Sequence, residues 1–180
     1  MEQGIIVYKD DHIVIRTIKK GDEFKMLDYI NELSQEKTFI MFQGNIMNIE
    51  EEKKYLDHQL DLMKNKKAIQ LLVFQNDTII GISGIEMRDK VQSHIGALGI
   101  SLLKPFRGKG FGKILLKTLL HEAQCYLPGL RIVTLSVFAN NSLAISFYKK
   151  FGFVQYGSLP QRILHKGEYV DHHDMFKVIA

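Results

Sequence analysis

The sequence predicts a single α+β domain, built on a central, mixed but mostly antiparallel sheet that is flanked by helices. Short apolar runs typical of strands alternate with segments whose apolar residues recur at helical spacing. Two of these runs flank the hairpin signal Asn76-Asp77, and no repeat, low-complexity tract or linker divides the chain. Because 180 residues suffice for one substantial core and are few for two, we expect residues 1–180 to form one domain.

The first elements are a strand and a helix. Residues 13–16 predict the first strand. After Gly21 and Asp22, apolar residues at helical spacing predict a helix whose inner face comprises Met26, Ile30 and Leu33. Residues 39–44 are apolar but aperiodic, so a buried loop and a loop that faces the substrate both stay open.

A second helix and a hairpin follow. Asn48 and Glu51 have the spacing of a capping box, and the helical stripe after them comprises Ile49, Leu56, Leu60 and Met63. The runs 68–74 and 78–85 are predicted to pair as two strands of a hairpin.

The next strand, residues 94–103, leads into a glycine-dense turn. The helix after this turn has an apolar face that comprises Phe111, Ile114, Leu115 and Leu119. Pro128-Gly129 ends that helix, and residues 131–137 predict another strand.

The last elements are a helix and two closing strands. Asn140 or Asn141 caps the helix, whose apolar face at i, i+3, i+4 and i+7 comprises Ala144, Phe147, Tyr148 and Phe151. Residues 153–157 and 169–179 are predicted to be strands on either side of Lys166-Gly167.

Composition limits the function classes. The chain is 46% hydrophobic and 24% charged, which is ordinary for a soluble globular protein. Its net charge of +4 comes from scattered basic residues rather than a basic surface with interleaved aromatics, so we expect no nucleic-acid partner. The single Cys125 cannot form an internal disulfide, and we assign it to packing. No basic leader or long apolar run is present, so we expect no membrane association and, by default, a cytoplasmic location.

The segment 99–113 carries the strongest functional signal. An apolar strand meets a basic, glycine-rich turn that opens a helix at once. Exposed N–H groups at a helix start attract anions, as do the positive end of the helix dipole and the flanking Arg107, Lys109 and Lys113. This combination predicts a site for a ligand such as a pyrophosphate.

Spacing separates three kinds of phosphate-binding loop. A nucleotide P-loop would require glycine at Arg107 and a hydroxyl at Ile114. A dinucleotide fingerprint would require its third glycine one residue after Gly112, and no acidic residue follows at the usual distance. The remaining pattern is R-x-x-G-x-G, formed by Arg107, Gly110 and Gly112.

This pattern resembles the acetyl-CoA loop of the GNAT N-acetyltransferase superfamily. Residues 135–153 resemble a second family segment, a strand followed by N-x-x-A-x-x-x-Y-x-x-x-G-F, here from Asn141 to Phe153. The two segments occur in the family's order, and the resemblance covers residues 94–156. Residues 167–175 loosely resemble the Y-x-D-x-x-x-M ending of members that acetylate ribosomal proteins and small amines.

The resemblance implies how the donor is held. In the family, the strand before the loop splays from its neighbour and the pantetheine arm enters the gap. The Leu102 N–H would then act as an oxyanion donor to the thioester. The expected cofactor-binding residues are Ile100, Leu102, Leu103, Arg107, Gly108, Lys109, Gly110, Phe111, Gly112, Lys113, Asn141 and Tyr148.

The expected catalytic residues are Tyr148, Leu102 and Glu86. Tyr148 matches the family's tyrosine, which would stabilise or protonate the departing thiolate, but packing in the core also explains it. Asn141 would contact the pantetheine, cap the helix or do both. A base must also deprotonate the amine, and Glu86 and His94 are candidates, although exposed strand positions explain both as well.

A metal site is not expected. His172-His173 lies between Asp171 and Asp174, but adjacent strand residues point to opposite faces of a sheet. We therefore expect these histidines to lie at the surface or in a substrate pocket.

The resulting hypothesis is an acetyl-CoA-dependent N-acetyltransferase. The acetyl group would pass to a primary amine by direct attack in a ternary complex, with a small molecule or a peptide N-terminus as acceptor. The acceptor pocket is expected in residues 20–45 and the closing hairpin, and a homodimer stays open. The alternatives are a non-catalytic acyl-CoA sensor on the same fold and, last, a basic nucleic-acid adaptor.

Overall fold

The molecule is built from strands, whose side chains alternate between two faces, and helices, whose apolar residues recur every three or four positions. The computed structural model describes residues 4–9 and 13–179. Residues 1–3, on which the expectation about the chain's start rests, lie outside this part. In chain order, the elements are β1 (Ile6–Lys9), β2 (Val14–Thr17), α1 (Glu23–Gln35), α2 (Ile49–Lys64), β3 (Ala68–Gln75), β4 (Thr78–Met87), β5 (Ile95–Leu102), α3 (Phe111–Tyr126), β6 (Ile132–Phe138), α4 (Ser142–Lys150), β7 (Val154–His165) and β8 (Glu168–Val178).

The strands form one sheet in the order β1-β2-β3-β4-β5-β6-β8-β7. Every neighbouring pair is antiparallel except β5 and β6, which are parallel. The predicted fold class, an α+β domain with a mixed and mostly antiparallel sheet, is therefore confirmed.

Most predicted elements are present. The capping box of α2 is complete, because the Asn48 side chain accepts from two N–H groups and its own N–H donates to Glu51 at 3.0 Å. Asn76 adopts a φ of 55° in the hairpin turn. The open choice of cap for α4 falls on Asn141, whose side chain accepts from the Ala144 N–H at 3.2 Å.

Two expectations about strands were wrong. The strand at residues 13–16 is not the first, because β1 precedes it and pairs with β2. The first closing strand is also longer than predicted: β7 runs on to His165 through a bulge at which Gln161 has a φ of 55°, whereas β8 has the predicted length. That run lacked a recognisable pattern because most β7 side chains are exposed on both faces.

The two faces of the sheet are covered by different helices. Alternate β3 residues such as Leu71 and Val73 pack toward α3 and α4, whereas Leu72 and Phe74 pack toward α1 and α2. None of the helices in the described ranges combines the length and apolarity that crossing a bilayer requires.

Candidate active site

A gap opens in the middle of the sheet between β5 and β6. The two strands pair only over residues 95–97 and 132–134. Beyond this point β6 stays paired with β8 as far as Phe138, while β5 stays paired with β4 as far as Leu102. The facing edges of β5 and β6 therefore part toward the glycine loop.

The direction of the backbone N–H and C=O groups determines which β5 residues face this gap. The Leu103 N–H donates to the Ile80 carbonyl of β4 at 3.0 Å, and the Leu103 carbonyl accepts from Phe106 at 3.0 Å. Because backbone groups alternate along a strand, those of Ile100 and Leu102 point away from β4, into the gap. The expected pairing of Leu103 with the pantetheine arm is therefore wrong, since both its backbone groups are already bonded.

The glycine loop presents a run of free amides. The N–H groups of residues 108–112 have no hydrogen-bond acceptor in the described part of the chain, and no side chain caps α3. Gly108 and Gly110 adopt φ values of 74° and 92°, which side-chain-bearing residues rarely adopt. Lys109 and Lys113 lie exposed beside these amides, so the loop offers an anion several donors at a positive helix end.

Arg107 braces the loop. Its Nε donates to the Leu102 carbonyl at 2.8 Å, and its guanidinium pairs with Glu36, just after α1. Glu36 also accepts from the Lys104 N–H at 2.8 Å, and the Arg107 N–H donates to the Lys104 carbonyl at 3.3 Å. These contacts position the loop, and the anion contact expected of Arg107 stays a prediction. Its partner Glu36 carries no signal in the sequence.

Helix α4 borders the same gap. A Cβ at Gly112 would lie 3.8 Å from the Phe147 ring, so α4 packs close to the first turn of α3. The Tyr148 ring packs edge-on against Phe147 and Phe153, and its hydroxyl has no hydrogen-bond partner in the described residues. Burial raises the pKa of Tyr148 to about 12, so the phenol stays protonated at neutral pH.

On the other side of β5, a cavity of about 510 Å³ lies between the sheet and helices α1 and α2. Ile100 and Ser101 line it, so the cavity reaches the strand that borders the gap. Residues 40–42 form part of its wall, which resolves the open question about the aperiodic segment. The closing hairpin supplies no lining residue, contrary to the expectation. Helix α2 and strands β3 to β5 line the cavity instead.

Two acids line this cavity. Glu86, the predicted base, is exposed at the rim and accepts from the Gln59 side chain at 3.3 Å. Glu52, which no sequence motif indicated, is only 5% exposed, and burial raises its pKa to about 7. The other predicted base, His94, lies beside Arg131 at the opposite end of β5 and does not line the cavity.

The paired histidines face different surroundings. The His172 ring is buried and packs edge-on against Phe138, whereas His173 is hydrogen-bonded to Ser158 at 2.9 Å. Within residues 4–9 and 13–179, no group of three or more His, Cys, Asp or Glu side chains could hold a metal ion.

Comparison with known proteins identifies the family. The model of the Acetyltransferase (GNAT) family matches residues 28–153, more than two thirds of the chain. An Escherichia coli L-amino acid N-acetyltransferase, AaaT, is 30% identical over 110 residues, which cover 61% of this chain and 67% of that protein.

Solved structures agree on the fold. A GNAT acetyltransferase from Streptococcus pneumoniae has a TM-score of 0.84 and 29% identity, covering 93% of this chain and 99% of its own. The ribosomal L7/L12 N-acetyltransferase RimL, solved in complex with coenzyme A, has a TM-score of 0.79 and 16% identity over 97% of this chain and 98% of its own. The chain described here belongs to the GNAT family of acetyltransferases.

Proposed function

We propose that this protein transfers an acetyl group from acetyl-CoA to a primary amine, by direct attack within a ternary complex. The observation that carries the proposal is the continuity of β5: its free edge leads to unbonded amides at one end and borders an acid-lined cavity along its length. A thioester held along the edge would meet an amine held in the cavity at Ile100.

The donor side uses backbone groups. The amides of residues 108–112 bind the diphosphate, with Lys109 and Lys113 adding charge. The backbone groups of Ile100 pair with the pantetheine arm, and the Leu102 N–H, whose carbonyl is already bonded to Arg107, donates to the thioester oxygen as it gains negative charge. Asn141 keeps its side-chain NH₂ available for the same arm, since the α4 cap uses only its oxygen.

Glu52 is the proposed base, in place of Glu86. An amine arrives protonated because alkylammonium groups titrate near pH 10. A carboxylate whose pKa is about 7 holds a proton far better than a carboxylate at the usual value of about 4.5, so Glu52 is suited to accept a proton from the ammonium. The neutral amine then forms the C–N bond, and the C–S bond breaks to leave the CoA thiolate. The amide nitrogen releases its surplus proton to that thiolate, which departs as the thiol, and the amide product keeps one N–H.

Tyr148 assists the leaving group by donating a hydrogen bond. A thiol titrates near 8.5, so a phenol with a pKa of about 12 would transfer its proton outright only at a cost of about 5 kcal/mol. A hydrogen bond to the thiolate avoids that cost, and the unpartnered hydroxyl of Tyr148 is free to make one.

No acyl-enzyme is needed. Cys125 is exposed in the last turn of α3, about 20 Å along that helix from Gly112 at 1.5 Å per residue. We therefore expect Cys125→Ser to retain activity.

Incubating the protein with acetyl-CoA and a panel of amines, with free thiol monitored, tests the proposal. We expect amine-dependent thiol release, an acetylated amine by mass spectrometry and no acetyl adduct on the protein. Tight CoA binding without turnover of any amine would contradict the catalytic proposal and favour the acyl-CoA sensor. The names of the relatives leave the acceptor open between a free amino acid and a protein N-terminus.

A further inference from the structure

The cavity between α1, α2 and the sheet has an empty floor. Gly84 and Gly99 lie directly opposite each other on β4 and β5, so neither strand places a side chain there. A Cβ at Gly99 would meet no atom within 4 Å. The walls are mostly apolar and include Met26, Ile30, Leu33, Ile40, Met41 and Phe42. At about 510 Å³, the space suits the apolar body of a small molecule.

The cavity contains hydrogen-bond acceptors that lack a partner among the described residues. The Gln70 side chain, 4% exposed, donates to the Tyr55 hydroxyl at 2.8 Å, which leaves its carbonyl oxygen buried without a partner among the described residues. The buried Glu52 has no hydrogen-bond partner there either, and Glu86 lies at the rim. An ammonium group, with three donors and one positive charge, satisfies such a set.

Cations do not line the cavity. Its described lining includes no lysine, arginine or histidine. Arg107 lies close enough to act on Tyr29, a lining residue, but Glu36 neutralises its charge. A ligand carboxylate would therefore be buried beside Glu52 without a cationic partner, which is costly for a buried charge.

We propose that the acceptor is a primary amine on an apolar body that carries no carboxylate, an assignment that rests on the proposed N-acetyltransferase function. The ammonium enters past Glu86, and Glu52 receives its N–H groups. Glu52 then accepts one proton, and the apolar body occupies the space above Gly84 and Gly99. A free α-amino acid would place its carboxylate one carbon from the amine, next to the same two acids.

The test compares acceptors that differ in one group. In 2-phenylethylamine and L-phenylalanine, the body and the amine are the same and only the carboxylate differs. In L-phenylalaninamide, a neutral amide replaces the carboxylate. We expect kcat/KM, measured by thiol release, to be at least about a hundredfold higher for 2-phenylethylamine than for phenylalanine, with the amide recovering most of the difference.

Each failure has its own pattern. Equal or faster turnover of phenylalanine would overturn the acceptor proposal and leave the N-acetyltransferase function standing. A peptide amide beginning with phenylalanine that surpasses all three compounds would overturn it in favour of a protein N-terminus. If 2-phenylethylamine is neither acetylated nor bound in calorimetry while other amines of the panel are acetylated, the acceptor proposal is overturned and the proposed function stands. If CoA binds and no amine of the panel is acetylated, both are overturned.

Two variants locate the effect in the cavity. Gly99→Val adds a side chain on the floor and should raise KM for 2-phenylethylamine more than about tenfold, with CoA affinity unchanged. Glu86→Gln should lower the preference for the amine over phenylalanine about threefold to tenfold, because it removes the rim acid. Glu50→Gln, at an exposed position on α2 outside the cavity, is the control and should leave that preference unchanged. Wild-type values for both Gly99→Val and Glu86→Gln would overturn the proposal.

Discussion

The glycine loop and the cavity border the same strand, yet they present different kinds of atoms. The loop presents main-chain N–H groups from five consecutive residues, 108–112. The cavity presents side chains from α1, α2, β3, β4, β5 and the 40–47 segment. The ligand of a site made of backbone groups is set by the backbone conformation, which many sequences can adopt. The ligand of a site made of side chains depends on the particular residues of this sequence.

The two regions also differ in electrostatics. The loop combines a positive helix end with lysines and suits an anion, while the cavity contains two acids and suits a cation. Ile100 is common to both, since its backbone faces the gap and the residue lines the cavity. Substitutions on the two sides should therefore separate into effects on donor affinity and effects on turnover or acceptor choice.

Replacing the buried acid should give the largest effect. In Glu52→Gln we expect kcat/KM for the amine to fall about 10²- to 10⁴-fold, because a general base contributes that much. Wild-type kcat/KM should rise with pH through about 7 as Glu52 loses its proton, and the variant should lose this limb. CoA affinity should stay unchanged in calorimetry. A retained limb near pH 7 in the variant would assign the base elsewhere.

Removing the buried hydroxyl should give the next largest effect. In Tyr148→Phe we expect kcat to fall about 10- to 100-fold, because the thiolate loses one hydrogen-bond donor. Thermal stability and CoA affinity should change little, since the hydroxyl has no partner in the described part of the protein. Tyr156→Phe, on the exposed strand β7, serves as the control and should match the wild type. Unchanged kcat in Tyr148→Phe would assign the tyrosine to packing alone.

Backbone strain in the glycine loop should weaken the binding of the acetyl donor and leave the later steps of the reaction unchanged. Gly110→Ala places a side chain at a φ of 92°, and we expect the Kd for CoA to rise about 5- to 50-fold as the amides shift. At saturating acetyl-CoA, kcat should recover toward the wild-type value. Gly129→Ala introduces a comparable strain at a φ of 77° in the turn after α3, far from the loop. If both variants weaken CoA equally, the loop geometry has no special role.

The glycine loop depends on local sequence features and the other parts of the site on contacts between distant residues, so only the loop could be predicted from the sequence alone. The loop was predictable because positive-φ glycines and a strand-to-helix transition are local features of residues 99–113. The gap followed only from the family resemblance, because strand pairing is not local. Leu103 was assigned wrongly, and the Arg107–Glu36 ion pair was not predicted, for the same reason: the partners Ile80 and Glu36 are distant in sequence.

The cavity was harder to predict because its acids look ordinary in the sequence. Glu50, Glu51 and Glu52 all suit the first turn of α2, where the helix dipole favours negative charge. Only helical rotation distinguishes them, since Glu52 falls three residues after Ile49 and four before Leu56, on the apolar stripe. An acid on the buried stripe of an amphipathic helix was the available signal.

Burying Glu52 lowers the free energy of unfolding, and removing this cost by substitution is the smallest of the predicted effects. Its pKa is raised from 4.5 to about 7 on folding, so between these pH values the folded protein holds a proton that the unfolded chain has lost. Stability should therefore fall as pH rises through this window, and Glu52→Gln should remove the loss. At pH 8 we expect the variant to be more stable by about 1–2 kcal/mol, or roughly 2–6 °C in Tm, with little difference at pH 4.5. Glu50→Gln, exposed on the same helix, should show no such pH-dependent gain. If Glu52 is a functional acid kept in an apolar cavity, the Glu52→Gln protein should be less active but more stable. Lower stability of the variant at pH 8 would mean that Glu52 supports the fold.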